Sequence, residues 1–238
     1  IAKKFPNYEP IQSQLITVYI RQGKYEDAIA EAKKHPNDEL IQTQLINAYI
    51  ETKNYDEISK IVEKFPDNDK IQKKLIVISK QITEYIKEKN YEEAEKIAKK
   101  FPNYEPIQSQ LITVYIRQGK YKEAIAEAEK HPNYEPIQAQ LINAYIETKN
   151  YDEIIKIVEK FPDNDKIQKK LAVVSKRITD YIKEKNYEEA EKIAKKFPDN
   201  GPIQVQLINV YIETKNYDEI SKIVEKFPDN DKIQKKLI

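Results

Sequence analysis

Residues 11–25, IQSQLITVYIRQGKY, decide the fold of this chain. Within this stretch Ile11, Leu15 and Tyr19 follow one another at steps of four, which places them on one face of an α-helix. Gly23 interrupts the pattern, and a glycine with positive φ is a common terminator of helices. The stretch therefore predicts a helix of about 15 residues that ends in a tight turn.

The residues after this turn predict a second, shorter helix. Tyr25, Ala28, Ile29 and Ala32 again recur at steps of three and four. His35-Pro36 ends the pattern, because proline cannot continue a helix and pushes the residue before it out of the α region. The two patterns together predict a helical hairpin, whose second helix has about 11 residues.

The hairpin pattern repeats along the whole chain. The Phe-Pro or His-Pro dipeptide that begins at Phe5-Pro6 recurs at spacings of 30, 30, 36, 30, 30, 36 and 30 residues. These spacings form a 96-residue period, and residues 1–96 and 97–192 differ at only 11 positions. A single hairpin cannot bury its apolar face, whereas stacked hairpins share one core. The repeat therefore predicts a single elongated domain over residues 1–238.

The 36-residue hairpins differ from the others in their first helix. Six additional residues lie between Leu75 and Tyr85, and the same number lies between Leu171 and Tyr181. Neither segment contains proline or glycine, so we expect the helix to run on to about 21 residues, with an apolar stripe of Ile71, Leu75, Ile78, Ile82 and Tyr85. Six residues lengthen a helix by about 9 Å and advance it by about 240° beyond a full turn. We expect a change in superhelix direction at every third hairpin.

Residues at the predicted helix ends have suitable chemistry. Prolines fall in the first turn of several first helices, where the missing N–H costs little, at Pro10, Pro106, Pro136 and Pro202. Asparagines precede the second helices as predicted N-caps, at Asn54, Asn90, Asn150, Asn186 and Asn216. The segment Asp67-Asn68-Asp69 predicts another N-cap before a long first helix.

The segment VYIRQGKYEDAI, residues 18–29, resembles the core of a tetratricopeptide repeat. The shared features are Tyr19 late in the first helix, Gly-x-Tyr at the turn, Ala28 in the second helix and Pro36 after it. The resemblance implies an all-α solenoid, a right-handed superhelix of antiparallel helical hairpins. The unit of 30 residues is shorter than the family's 34, Gln12 stands where the family has tryptophan, and Ile16 stands where it has glycine. The family's superhelical pitch is therefore not carried over.

The same resemblance implies that the first helices line a concave groove that binds a protein or peptide. The ninth and thirteenth positions of these helices are then the candidate ligand contacts: Thr17, Arg21, Asn47, Glu51, Thr113, Arg117, Asn143, Glu147, Asn209 and Glu213. Fifth positions such as Ser13, Thr43 and Ala139 are implied as well. Amides at Asn47, Asn143 and Asn209 would suit the backbone of an extended peptide. Lys73 is followed by Val77 and not by asparagine, so the family's clamp for a C-terminal carboxylate is not expected.

Composition and motifs argue against several other functions. The 41 lysines and arginines nearly cancel the 40 aspartates and glutamates, so the chain as a whole does not attract nucleic acid or anionic membranes. There is no cysteine, and His35 and His131 occupy slots that hold phenylalanine elsewhere, so both are expected to pack and no metal site is expected. Phosphate-binding glycine loops are absent from the sequence. We therefore predict no cofactor and no enzymatic activity.

Three functions remain open on the sequence alone. The first is a protein- or peptide-binding scaffold, with a repetitive partner favoured by the near-identical blocks. The second is a structural solenoid, natural or engineered, that associates head to tail with itself. The third is RNA binding by a pentatricopeptide-like code, which the near-neutral charge disfavours. No signal peptide or transmembrane stretch is visible, and the sequence leaves the compartment open.

Overall fold

A computed structural model of the chain describes residues 8–236. This part of the chain is all-helical, with fifteen α-helices and no strand. The helices are α1 (Glu9–Arg21), α2 (Tyr25–Ala32), α3 (Glu39–Glu51), α4 (Tyr55–Lys64), α5 (Asp69–Lys87), α6 (Tyr91–Ala98), α7 (Glu105–Arg117), α8 (Tyr121–Ala128), α9 (Glu135–Glu147), α10 (Tyr151–Lys160), α11 (Asp165–Lys183), α12 (Tyr187–Lys195), α13 (Gly201–Glu213), α14 (Tyr217–Lys226) and α15 (Asp231–Gln234).

The helices alternate between long and short, as the sequence predicts, which confirms a helical repeat. The ordinary first helices have 13 residues, and the second helices have 8 to 10. The long first helices α5 and α11 each have 19 residues, so the six additional residues continue the helix without a break. All of these helices are slightly shorter than expected. One reason is that three residues between the two helices of each hairpin belong to the turn.

The contacts between Cα atoms divide the chain into two compact units, Ile1–Val114 and Tyr115–Ile238, with the division inside α7. In the first unit, α1 packs on α3 and α3 packs on α5. In the second unit, α9 packs on α11, α11 packs on α13 and α13 packs on α15. Each unit thus contains a row of first helices, which we call the first-helix row. A single domain over residues 1–238 stays a prediction.

In each turn between the two helices of a hairpin, one residue has a left-handed backbone conformation with positive φ. Gly23 and Gly119 have φ values of 71° and 72°, which confirms their predicted role. In the other hairpins a lysine takes the same position with φ between 54° and 61°: Lys53, Lys89, Lys149, Lys185 and Lys215. A side chain in this conformation costs about 1 kcal/mol relative to glycine. The sequence analysis did not identify these five lysines as left-handed.

The predicted N-caps are in place, although not all of them form the expected hydrogen bond. All five asparagines stand at the N-cap of a second helix, but of these only Asn90 and Asn186 accept a backbone hydrogen bond, from Glu93 and Glu189. Asn68 caps α5, and its Oδ1 accepts from two backbone N–H groups at 3.1 Å. The long helices therefore begin at a well-satisfied terminus.

The predicted apolar stripe of α5 forms most of its buried face. Ile71, Leu75, Ile78 and Ile82 are fully buried. The fifth predicted member, Tyr85, is only half-buried, and Ile86 occupies the next buried position. Ile86 is four residues after Ile82 and therefore continues the buried face with a side chain smaller than tyrosine. The ring of Tyr85 lies at the edge of the core.

Most hairpin junctions contain a glutamine whose amide group binds the end of the preceding second helix. Its Nε2 donates to two backbone carbonyl oxygens there, in an arrangement that we call the glutamine clamp. Gln108 donates to Ala98 O at 3.0 Å and to Phe101 O at 2.8 Å. Equivalent bonds are made by Gln42, Gln138, Gln204 and Gln234. Each of these carbonyls also accepts one backbone N–H, as Ala98 O does from Phe101, so the clamp gives it a second donor at the helix end.

The clamp is missing where a long first helix follows a second helix. Gln72 Nε2 instead donates to Pro66 O at 2.7 Å, and Gln168 Nε2 donates to Pro162 O at 2.9 Å. The sequence FPDNDKIQKK is identical at residues 65–74 and 227–236, yet at the second place Gln234 forms the clamp. There α15 has only four residues. The local sequence alone therefore does not determine which carbonyls the glutamine binds.

Candidate functional site

The ten candidate contacts lie on first helices, and none of them is fully buried. The two threonines have hydroxyl groups that bond within their own helices: Thr17 Oγ1 donates to Ser13 O, and Thr113 Oγ1 donates to Ser109 O, both at 3.0 Å. Such bonds fix the side chain and leave its methyl group outward. These threonines can therefore contribute shape to a surface, but they contribute little hydrogen bonding.

The candidate asparagines are half-buried and held by neighbours one turn earlier. Asn47 Nδ2 donates to Gln44 Oε1 at 3.1 Å, and Asn209 Nδ2 donates to Gln206 Oε1 at 3.2 Å. An amide has two donors and an acceptor with two lone pairs, so each of these bonds uses only one donor. The second N–H and the carbonyl oxygen of each amide have further hydrogen-bonding capacity, and their use by a peptide stays a prediction.

The charged candidates at the ends of the helices are exposed, and two of them have partners. Glu147 Oε1 accepts from Arg177 Nη2 at 2.8 Å, which connects α9 with α11. Glu213 Oε2 accepts from the Tyr187 hydroxyl at 3.4 Å. Arg21, Glu51 and Arg117 are exposed. The structure thus places Asn143 and Glu147 on α9 and Asn209 and Glu213 on α13, and these two helices lie on either side of α11 in one first-helix row.

The fifth positions of three ordinary first helices are closed to a ligand. Ser13, Thr43 and Ala139 are buried, since adjacent first helices pack over this face. In the long helices the same position is occupied by Lys73 and Lys169, which are exposed. Ser13, Thr43 and Ala139 are therefore inaccessible to a ligand, whereas Ser109 and Val205 are half-buried and the fifth positions of the long helices are exposed.

Two equivalent crevices lie where the glutamine clamp is missing. The first has a volume of about 400 Å³ and is lined by residues of α4, of α5 and of the turn after α6, including Val62, Gln72, Phe101 and Tyr104. The second has a volume of about 390 Å³ and is lined by residues at or near the same positions 96 residues later, including Val158, Gln168, Leu171 and Phe197. Lys100 lines the first crevice and pairs with Asp56, and Lys196 lines the second and pairs with Asp152. The sequence analysis did not predict these crevices.

Tyr55 and Tyr151 occupy equivalent positions in the two 96-residue blocks. The hydrogen bonds of their hydroxyl groups differ because of one substitution. The Tyr55 hydroxyl donates to Gln81 Oε1 at 3.2 Å. The residue equivalent to Gln81 is Arg177, which cannot accept a hydrogen bond and pairs with Glu147. The hydroxyl of Tyr151 is therefore buried without a partner. Burial, with smaller contributions from nearby charges, raises the pKa of both Tyr55 and Tyr151 to about 12.

Removing the two hydroxyl groups is expected to have opposite consequences. Tyr55→Phe loses a hydrogen bond and should lower the free energy of unfolding by about 1 kcal/mol, whereas Tyr151→Phe should leave it unchanged or raise it. Arg177→Gln should make the second site respond like the first. Urea unfolding followed by circular dichroism measures these differences. Equal losses from Tyr55→Phe and Tyr151→Phe would contradict the assignment of the unpaired hydroxyl.

Within the described residues, no group of three His, Asp or Glu side chains is arranged to hold a metal ion. His35 and His131 are half-buried at the ends of second helices, and their carbonyl oxygens each accept a glutamine clamp at 3.0 Å. Over residues 8–236, no helix combines the length and the apolar content that a membrane span requires.

The fold and these surfaces define a helical-repeat protein. A scan against models of known protein families finds no match, and a search of curated proteins finds no relative that matches significantly. The resemblance to tetratricopeptide repeats therefore stays a prediction from the residues quoted above.

Proposed function

We propose that this chain is a tetratricopeptide-like solenoid that acts as a protein- or peptide-binding scaffold and has no enzymatic activity. The observation that carries the proposal is the first-helix row of each unit. Its ninth and thirteenth positions hold half-buried threonine and asparagine side chains and exposed charged side chains. A row of parallel helical surfaces with polar groups at every turn offers an extended ligand several contacts in series.

A random peptide library tests this function even though the natural partner is unidentified. Peptides selected from a display library against the full chain should bind the first-helix rows. Asn47→Arg combined with Asn143→Arg places a long side chain at equivalent points of two first helices. We expect this pair of substitutions to weaken binding of the selected peptides by about tenfold, as for other central contacts. Isothermal titration calorimetry measures the change.

The matched control places the same side chain on second helices. Ala30 and Ala126 are exposed, stand on α2 and α8, and are also 96 residues apart. Ala30→Arg combined with Ala126→Arg should leave peptide binding unchanged within about twofold. Equal losses from both pairs, or a library that yields no binding peptide, would count against the proposed scaffold function.

The competing function is a structural solenoid that associates with itself. The near-identity of the two blocks favours it, because a surface that matches its neighbour within the chain can match a second copy. Analytical ultracentrifugation over a hundredfold range of concentration separates the two functions. Growth into longer species supports the structural function, and a constant monomer mass supports the scaffold.

A further inference from the structure

Each long first helix presents a face that is both basic and apolar. On α5 this face consists of Lys73, Ile76, Val77 and Lys80, and on α11 it consists of Lys169, Ala172, Val173 and Lys176. We call these two sets the basic faces. All eight residues are exposed, and Ile76, Val77 and Val173 are among the most exposed large aliphatic side chains of the described chain, at 48%, 42% and 39%. Steps of three and four place each set on one side of its helix.

The charge on these faces is not neutralised within the protein. Between Asp69 and Glu84 the helix α5 has four lysines and no carboxylate, and α11 has only basic charges between Asp165 and Asp180. The lysines of the second helices are different, since Lys60 and Lys156 each pair with a glutamate three residues away at 2.5 Å.

The lysines of the basic faces form no such pair. Within residues 8–236, no ion pair is made by any of Lys73, Lys80, Lys169 and Lys176. Like charges at neighbouring positions of one helix, such as Lys70 and Lys73, destabilise it mildly. A partner with carboxylates would remove that repulsion.

Exposed aliphatic side chains lie between the unpaired lysines, which determines the kind of partner that fits. Val77 is four residues after Lys73 and three residues before Lys80, so an apolar contact is flanked by two cations. Removing Ile76 and Val77 from water would stabilise a complex, and the lysines would favour a partner with carboxylates on either side of its own apolar residue.

We propose that the basic faces of α5 and α11 are two equivalent docking surfaces for acidic peptide segments that contain aliphatic side chains. This inference rests on the proposed scaffold function and names the chemistry of its partner. The long helices stand within the first-helix rows, with α5 beside α3 and α11 between α9 and α13. In each block the face extends from the fifth position of the long helix, Lys73 or Lys169, to a lysine seven residues later, Lys80 or Lys176.

A protein partner fits the basic faces better than nucleic acid or a lipid surface. Single-stranded nucleic acid is held by stacking on aromatic rings, and neither face contains an aromatic residue. Helices that lie in a membrane surface bury a broad apolar side, whereas here at most two adjacent aliphatic side chains are available. Charge complementarity with a short acidic segment matches both the size and the composition of the faces.

The test uses the full chain and a fluorescein-labelled peptide made of four repeats of Glu-Glu-Leu-Glu. Fluorescence anisotropy should show binding that weakens as salt is added, because exposed charges contribute to it. At saturation, two peptides should bind per chain. A peptide with serine in place of leucine should bind about tenfold more weakly, and a Lys-Lys-Leu-Lys peptide should not bind.

Charge reversal locates the site. Lys73→Glu combined with Lys169→Glu should weaken binding of the acidic peptide by about tenfold or more. The control is Lys33→Glu combined with Lys122→Glu, which changes the net charge by the same amount. Each control substitution introduces the residue that the other block already has at the equivalent position: Glu129 corresponds to Lys33, and Glu26 corresponds to Lys122. The control should alter binding by less than about twofold, and circular dichroism should show both variants folded.

A third pair of substitutions tests the apolar part of the face. Val77→Ser combined with Val173→Ser should weaken binding of the leucine peptide and leave the serine peptide unaffected. The inference is overturned if the control charge variant loses as much affinity as the test variant. It is also overturned if the acidic peptide does not bind, or if an oligouridine of equal charge or anionic vesicles bind more tightly. Selected library peptides that bind independently of Lys73 and Lys169 would reject the inference and leave the scaffold function standing.

Discussion

Replacing Gln204 with leucine is expected to lower the free energy of unfolding by about 2 kcal/mol, because two buried carbonyl groups lose a donor. Gln204 is buried, and its Nε2 donates to Ala194 O at 3.1 Å and to Phe197 O at 2.9 Å. Each carbonyl keeps one backbone partner, from Phe197 N and Asn200 N, which limits the loss. Leucine has a similar volume, so the measured change reports the hydrogen bonds more than the packing.

The control for this substitution is in the same unit. Gln168 is half-buried, and its Nε2 bonds only to Pro162 O, so Gln168→Leu should cost less than about 1 kcal/mol. Repeat proteins often unfold one part at a time, so hydrogen exchange of the amides in α12 and α13 is the better readout than one global transition. A loss at Gln168 equal to that at Gln204 would show that the clamp contributes nothing specific.

Alkaline unfolding is the second large effect that we expect, and buried tyrosines should cause it. Burial, the largest cause, and nearby carboxylates raise the pKa of Tyr145 to about 12, and burial raises that of Tyr151 to about 12. The unfolded chain releases these protons near pH 10, whereas the folded chain retains them until about pH 12. Stability is therefore complete below pH 10 and is lost between pH 10 and pH 12.

The size of this effect follows from the two titrations. Each tyrosine that ionises only in the unfolded state lowers the free energy of unfolding by at most about 1.4 kcal/mol per pH unit. Both rings are nearly inaccessible, with 5% and 4% exposure for Tyr145 and Tyr151. Even with partial screening by solvent, together they should reduce stability by about 2 to 4 kcal/mol over this range.

A variant with Tyr145→Phe and Tyr151→Phe isolates the contribution of these rings. It should lose less stability than the natural sequence between pH 10 and pH 12, although lysine ionisation affects both proteins. Urea midpoints measured at several pH values, together with the ultraviolet absorbance of tyrosinate, provide the comparison. Parallel curves for the two proteins would show that these tyrosines ionise as freely in the folded state as in the unfolded chain.

The positions of the helices could be predicted from the sequence because their signals are local. Steps of three and four residues mark the helices, and Pro36 and Gly23 mark their limits. The continuous helix α5 also follows from local chemistry, since the six additional residues contain neither proline nor glycine. Residues 53 and 89 show the limit of this approach, because lysine gives no sign of the left-handed conformation that the shared turn imposes.

The candidate site was less predictable because it depends on what packs over each helix. Ser13 and Thr43 are polar, and the resemblance to tetratricopeptide repeats implies that they line the groove. Both are nevertheless buried, because neighbouring first helices pack over them. The buried glutamines had a visible signal, the Ile-Gln dipeptide at the start of every first helix, but only the structure shows what they bind. Gln72 and Gln234 have identical neighbours and different partners, so no local pattern distinguishes them.

The glutamine clamp also has a consequence for how such a gene can change length. Because the clamp recognises backbone carbonyls, it does not depend on which type of 30-residue hairpin supplies the glutamine. Gln108 on α7 and Gln204 on α13 belong to different hairpin types, yet both clamp the end of the same type of second helix in the same way. Unequal crossing-over between near-identical blocks can therefore delete or duplicate a hairpin and still leave a compatible junction. Variants of the chain that differ by whole hairpins should therefore fold. The junction created by such a change should need no compensating substitutions.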